Sequence, residues 1–458
     1  MPDETASRPG GEAETGTGQP AERRRLFFRL TFINILSNVT VPLVGLVDTG
    51  MLGHLPEIRF LAGVALGSVL FDYVYWTFGF LRMGTTGTVA QAVGRGDRRE
   101  VHLVLHRSLV LAVGLGVAML LLQVPLRELG FALLSGEADV ELAGRAYFNA
   151  RVWGAPATLC NFALIGWFLG RAESRNALVM TVTGNLLNIL FNYIFIMRMG
   201  LAAFGAGLAT ALAQYAMLAT GIAILLFQGE REGWSWAEIS RGGRLAALFR
   251  LNREILIRTL CLVSAFAVFT NFSAVLGTAM LAANSILIRV LVLGAYLIDG
   301  AAFASESLAG ILLGRGDVEG LRRFSRRALA TGAGFAVLLL AALFSAPRFF
   351  LGLLTSHGDL VELAARFAPW LIPTLLLGSL AYMYDGLFLG LTEGRALRNS
   401  MLISTLAFFL PVALIALWTG NNHVLWASHV AFNAARAGTL GLVFPRLLAG
   451  YSAGTRTG

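Results

Sequence analysis

Twelve apolar stretches, each close to the length a helix needs to cross a bilayer, run through this chain. They fall at 30–52, 58–92, 101–124, 142–169, 176–197, 201–227, 254–277, 280–312, 324–346, 361–390, 397–418 and 424–447. In hydrocarbon every backbone N–H and C=O must be bonded internally, so spanning segments are helices or strands of a closed barrel. Apolar runs of about 20 residues suit a helix, whereas a barrel strand needs only about ten. The expected fold is an all-α membrane protein of twelve transmembrane helices. Only 14% of residues are charged, against about 25% in soluble domains, which argues against a string of soluble domains.

All 36 basic residues are arginine, and the formal net charge is +9. They collect at Arg23–Arg25 and Arg29, and then in alternate connections: Arg95 to Arg107, Arg171 and Arg175, Arg231 to Arg253, Arg315 to Arg327, Arg395 and Arg398. The intervening connections hold only Arg59, Arg127, Arg145, Arg198 and Arg348, partly offset by acids. Arginine marks the cytoplasmic side of a membrane protein, so both termini are expected in the cytoplasm. The charge then serves orientation, and no nucleic-acid partner is expected. Residues 1–25 are polar, lack a signal-peptide pattern and are expected to be a disordered cytoplasmic N-terminus; residues 448–458 form the C-terminal tail. Cys160 and Cys261 both sit in apolar runs, so neither a disulfide framework nor a metal-ligand spacing is present.

The chain repeats itself. "GRGD" at 94–97 returns at 314–317, and "GWFLGRAESR" at 166–175 returns as "GLFLGLTEGR" at 386–395, both at an offset of 220. One offset kept by two separate loops implies duplication of a six-helix unit. An even number of spans inserts both copies the same way, related by a pseudo-twofold along the membrane normal. The lobes are then 26–227 and 254–447. The polar stretch 228–253 between them is either a plain cytoplasmic linker or an amphipathic surface helix with Trp234 and Trp236 at headgroup depth.

Charges inside the spans are costly, about 2.5–3.5 kcal/mol each on insertion scales, so they face water or a partner. The acids are Asp48, Asp72, Asp299, Glu306 and Asp385; the cations are Arg82, Arg151, Arg258 and Arg289. At the offset of 220 the acids map to Val268, Val292, Gly79, Thr86 and Ile165, so none is duplicated. The lobes therefore do different work. Asn185, Asn188 and Asn192 lie at i, i+3 and i+7, on one helical face. That stripe either bonds neighbouring helices or receives a carboxylate such as Asp48. Asp72 and Arg82 sit ten residues apart and reach a shared cavity without touching. Arg258 and Arg289 are expected to neutralise Asp299, Glu306 or Asp385 within the second lobe.

Four segments carry a family resemblance: "NILSNVTVPLVGLVDTGMLGHL" (34–55), "LRMGTTGTVAQAVGRGD" (81–97), "IDGAAFASESLAG" (298–310) and "YDGLFLGLTEGRALRNSM" (384–401). Over about 26–447 the chain resembles the multidrug and toxic compound extrusion (MATE) family, in its DinF-like branch. That resemblance implies a two-lobe, cation-coupled exporter in a bacterial cytoplasmic membrane. It assigns cation coupling to Asp48, with Asn188, Asn192 and Thr210 beside it. Relatives often carry a second acid at the position of Asn192; here it is neutral.

Burial disfavours the charged form of a lone carboxylate, which suits reversible protonation. H⁺ is therefore the favoured coupling ion, with Na⁺ the alternative and no cofactor or metal. The resulting expectation is a monomeric antiporter that expels amphipathic, often cationic, compounds. Asp72, Arg82, Arg258, Arg289, Asp299, Glu306 and Asp385 would line its cleft or a second-lobe polar network. A lipid-linked saccharide flippase is the transport rival, kept open by the intramembrane arginines. A membrane enzyme is disfavoured, since no nucleophile–His pair or phosphate loop is visible. His54, His357, His423 and His429 fall in or near external loops, and His102 and His106 near a basic cytoplasmic one.

Overall fold

A computed structural model describes residues 20–134, 137–230, 236–240, 243–355 and 357–454. The first-lobe helices are α1 Pro20–Gly53, α2 Ile58–Gly94, α3 Arg98–Leu121, α4 Ala138–Gly170, α5 Ser174–Arg198 and α6 Ala202–Phe227. The second lobe has α7 Arg244–Val275, α8 Thr278–Gly314, α9 Val318–Ser345, α10 Gly358–Gly390, α11 Gly394–Thr419 and α12 Asn422–Ser452. Eleven of these are long and apolar enough over their length to cross a membrane. The twelfth, α12, is diluted by His429, Asn433 and Arg436, all of which it buries. No strand occurs among the described residues.

The offset of 220 holds in three dimensions. Gly96 and Gly316 both turn the chain at positive φ (71° and 73°), as do Ala172 and Thr392 (58° and 56°). Asp97 caps α3 by accepting from the Glu100 N–H at 2.9 Å, and Asp317 caps α9 by accepting from the Gly320 N–H at 2.7 Å. Side-chain caps of this kind satisfy donors that the first turn leaves orphaned. The α2 and α8 spans also correspond end to end, with one difference. The α2 helix is interrupted at Gly79, between Phe78 and Phe80. Its counterpart α8 is continuous and carries Asp299 at that place.

The lobes meet where corresponding glycines cross. A Cβ on Gly94 would lie 2.8 Å from the Gly314 Cα, and one on Gly314 would lie 3.0 Å from the Gly94 Cα. Polar ties between the lobes extend from this arginine-rich end to about mid-helix. Gln91 donates to the Gly390 carbonyl at 3.0 Å, Asn34 to that of Gly300 at 3.2 Å, and Asn38 to that of Tyr296 at 3.3 Å. Beyond Asn38 and Tyr296 no polar tie joins the lobes among the described residues.

Several expected boundaries change. Residues 20–25, assigned above to a disordered terminus, already belong to α1, because Arg23 is held by Asp317 at 3.1 Å. Residues 1–19 lie outside the described part of the chain, as does Trp234. Residues 244–253 extend α7 and do not form a separate surface helix. Within 228–253 the remaining helical element is a single turn, Trp236–Ile239. Arg107, counted above among the loop cations, is buried and holds that turn: it donates to the carbonyls of Ile239 at 3.0 Å and Glu238 at 3.2 Å. α12 runs to Ser452, past the expected end at 447.

Candidate functional site

The first-lobe amides and the α1 carboxylate form one hydrogen-bonded chain. Asn192 Nδ2 donates to Asp48 Oδ1 at 2.6 Å and to Asn188 Oδ1 at 3.1 Å, and Asn188 Nδ2 donates to Thr210 Oγ1 at 3.3 Å. Asn188 and Asn192 are buried, as a helical i, i+4 pair facing a neighbour must be. Immediately after Asn192 the α5 helix widens into a π-helical turn, Tyr193–Arg198; such turns recur at functional sites. Asn192 Oδ1 is buried without a partner. Asn185 lies on the same stripe but bonds Thr40 Oγ1 at 3.0 Å, so it serves helix packing.

α1 thus has two attachments. Its first half, through Asn34 and Asn38, is tied to α8 of the second lobe. Its second half, through Thr40 and Asp48, is tied to α5 of the first. Pro42 follows Thr40 and precedes Asp48, so the helix lacks a backbone donor within its second half. A change at Asp48 therefore acts on a helix that is also anchored in the opposite lobe.

Two more intramembrane acids stand without partners among the described residues. Asp72 is exposed although it lies inside α2, and Asp299 is half-buried. Neither has an ion pair or hydrogen bond among the described residues. Tyr296 lies within electrostatic reach of both, and Arg151 within reach of Asp48 and Asp72. Arg151 is packed among aromatic rings. It donates to the Tyr147 hydroxyl at 2.6 Å and its guanidinium lies 4.6 Å from the Phe71 ring centroid.

Four other intramembrane charges and Arg436 are paired. Arg82 reaches across the lobes to Glu306 Oε2 at 3.4 Å while covering the Phe303 ring at 4.0 Å. Asp385 Oδ2 accepts from Arg258 and, at 2.6 Å, from Arg436. All of Glu306, Asp385, Arg258 and Arg436 are buried. Three expectations need correction here. Arg82 pairs with Glu306 rather than with any acid of its own helix. Arg289 neutralises no acid: it is exposed on another face of α8, beside Ser285 and Ile288. His429 is not near an external loop but buried in α12, packed edge-on to Phe269.

Sequence reasoning missed Arg436 altogether. Its signal was available: His429, Asn433 and Arg436 follow at i, i+4 and i+7, one polar face within an otherwise apolar run. Among the described residues no cluster of His, Cys, Asp or Glu suits a metal ion.

Comparison with known proteins places this geometry. The MatE family model matches twice, at residues 34–194 and 255–417. DNA damage-inducible protein F of Escherichia coli (strain K12) is 33% identical over 92% of this chain and 92% of its own length. A probable multidrug resistance protein, NorM, of Synechococcus is 27% identical over 84% of each chain, and human multidrug and toxin extrusion protein 1 is 23% identical over 86% of this chain and 69% of its own. Among solved structures, an outward-facing multidrug resistance MATE transporter superposes with a TM-score of 0.84 at 22% identity, covering 94% of this chain and 96% of the other. A transporter from Pyrococcus furiosus, described as having a binding pocket of reversed polarity, gives a TM-score of 0.83 at 20% identity, over 94% and 97%.

Proposed function

Because this chain belongs to the MatE family, whose members are transporters and not enzymes, we propose that it exports amphipathic cations in exchange for protons. The observation that carries this reading is the bonded chain from Asp48 through Asn192 and Asn188 to Thr210, which contains one carboxylate and no second acid. A lone carboxylate among neutral amides changes its local charge by taking up one proton. A Na⁺ ion at the same place would keep fewer charged ligands than such hard cations favour. Asp72 and Asp299, without ion pairs, supply negative charge on both sides of the cleft for a cationic substrate.

Coupling follows from the double attachment of α1. With Asp48 ionised, the Asn192 amide holds the outer half of α1 on α5. Protonation weakens that charge-assisted bond, and α1 carries the change to α8 through Asn34 and Asn38. Substrate and proton then compete through the preferred arrangement of the lobes, which is what obligatory exchange requires.

The flippase alternative needs free cations for a phosphate. Arg82, Arg258 and Arg436 are instead committed to Glu306 and Asp385, and Arg151 to the Tyr147 hydroxyl and the Phe71 ring, which favours the exporter. The arginine distribution supports an orientation with both termini in the cytoplasm.

The test is transport in proteoliposomes under pH and Na⁺ gradients imposed separately. A pH gradient alone should drive accumulation of a fluorescent lipophilic cation. Response to Na⁺ alone, or equal handling of neutral dyes, counts against the proposal. Cysteines at Gly96, Gly243 and Gly316 should be labelled only from the cytoplasm, and one at Asn421 only from outside.

A further inference from the structure

At the arginine-rich end, the first turns of α1 and α9 enclose a cavity of about 540 Å³. Its floor is the Arg23–Asp317 ion pair, seated on Gly320, where a Cβ would come within 2.5 Å of the guanidinium. Arg24, Arg323 and Arg327 line the cavity around that pair. The lining thus carries four arginines and one carboxylate. Below them Phe27 and Phe324 meet edge to face at 5.4 Å, both buried, and Phe28 is exposed alongside. Charge lies at one level and aromatic surface at the next.

The internal repeat shows what this groove lacks. Arg327 is the counterpart of Arg107, 220 positions on. In the first lobe the turn Trp236–Ile239 fills the groove, and Arg107 is satisfied by two carbonyl oxygens of that turn and by Glu100 Oε1 at 2.8 Å. In the second lobe the counterpart of Glu100 is Gly320. Arg327 is exposed, and its guanidinium has neither a hydrogen bond nor an ion pair among the described residues. The same position that is saturated with oxygen acceptors in one lobe is without them in the other.

We propose that this cavity binds the headgroup phosphate of an anionic phospholipid from the surrounding bilayer. Its acyl chains would lie along Phe28 and the outer faces of α1 and α9. Phosphate supplies the charged oxygens that the Arg327 guanidinium lacks, and a closer partner for Arg323 than exposed Glu319 Oε1 at 3.9 Å, in a geometry that guanidinium forks match. Basic pockets between transmembrane helices at the positively charged side recognise such headgroups. Since α1 belongs to the first lobe and α9 to the second, a bound lipid touches both.

The test uses the purified full chain in neutral detergent. Thermal unfolding is followed with added phosphatidylglycerol, phosphatidylcholine or inorganic phosphate. Phosphatidylglycerol should raise the midpoint, and the other two should not. In Arg323→Gln/Arg327→Gln the half-saturating lipid concentration should rise about tenfold. Arg25→Gln/Arg29→Gln, outside the cavity, should leave it within twofold. An equal rise with phosphatidylcholine or with phosphate alone, or an unaltered response of the cavity variant, overturns the proposal. It also fails if the cavity variant loses stability equally in lipid-free detergent, because a segment of the protein then fills the site.

Discussion

Asn192 donates to Asp48 across 144 positions of chain, at 2.6 Å, and at the same time to Asn188 at 3.1 Å. Both of its N–H groups are thereby committed, and the orientation of the amide is fixed by the carboxylate. The first prediction concerns that bond. Asp48→Asn imitates the protonated carboxyl in shape and charge, so the protein should fold and still bind substrate. Substrate-driven proton movement into liposomes should vanish. Proton exchange at the parent rate would show that Asp48 is not the coupling residue.

Replacing the amide should change the ion. Asn192→Asp places two carboxylates at hydrogen-bonding distance, an arrangement that like-charge repulsion forbids unless a proton or a cation lies between them. Export should then acquire a response to an imposed Na⁺ gradient that the parent lacks, read as sodium uptake coupled to dye efflux.

A different outcome is expected in the second lobe, where Asp385 neutralises two buried guanidiniums. Asp385→Asn leaves Arg258 and Arg436 buried without a counter-charge, which costs about 3–5 kcal/mol. A clear drop in thermal midpoint and in expression should follow. If Asp385→Asn is as stable as the parent yet inactive in transport, the coupling role passes to Asp385.

The glycine crossing gives a mechanical prediction. A Cβ at position 314 would stand 2.2 Å from the Gln91 carbonyl oxygen, and backbone cannot yield as a flexible side chain does. Gly314→Val should force the lobes apart at the arginine-rich end, at a cost of about 1–3 kcal/mol. In a background without Cys160 and Cys261, a cysteine at buried Ser307 should become reactive to an impermeant thiol reagent in this variant only.

The linker supplies a pH dependence outside the membrane. Burial alone would push the Glu230 carboxyl up, but hydrogen bonds and charge from Arg171 and His102 outweigh it and hold it below the usual range. Arg171 Nη1 lies 2.5 Å from Glu230 Oε1. With the folded value depressed, docking of the linker gains stability at pH above the unfolded value of about 4.3. It loses that stability as pH falls through the folded value. Proteolytic cleavage between 230 and 243 should therefore accelerate below about pH 4 in the parent. Glu230→Gln should be cut faster at neutral pH, with little further change on acidification.

The sequence made some of this legible and concealed the rest for identifiable reasons. The repeat was readable because its loops depend on local chemistry: a glycine at positive φ followed by a capping aspartate tolerates few substitutes. The Asn188–Asn192 stripe was readable because helical periodicity puts both on one face. Arg289 was misassigned, although the same periodicity held the answer. At about 100° per residue, Asp299 and Glu306 fall within about 20° of each other, whereas Arg289 lies about 80° from Asp299. Partner choice was beyond reach. Arg82 takes Glu306 from another lobe, and Arg107 takes carbonyls from a turn 131 positions away. Such pairings are set by how helices cross, which spacing along one helix does not encode.

Gly94 and Gly314 are the same residue of the two copies, and they touch each other. A contact that a twofold axis maps onto itself is an isologous one, the kind that two identical, separate chains make when they dimerise. A six-helix unit carrying this glycine has a self-complementary face, and two units joined end to end keep it without a second kind of contact. Away from the axis that constraint does not act, and there the two lobes carry different acids.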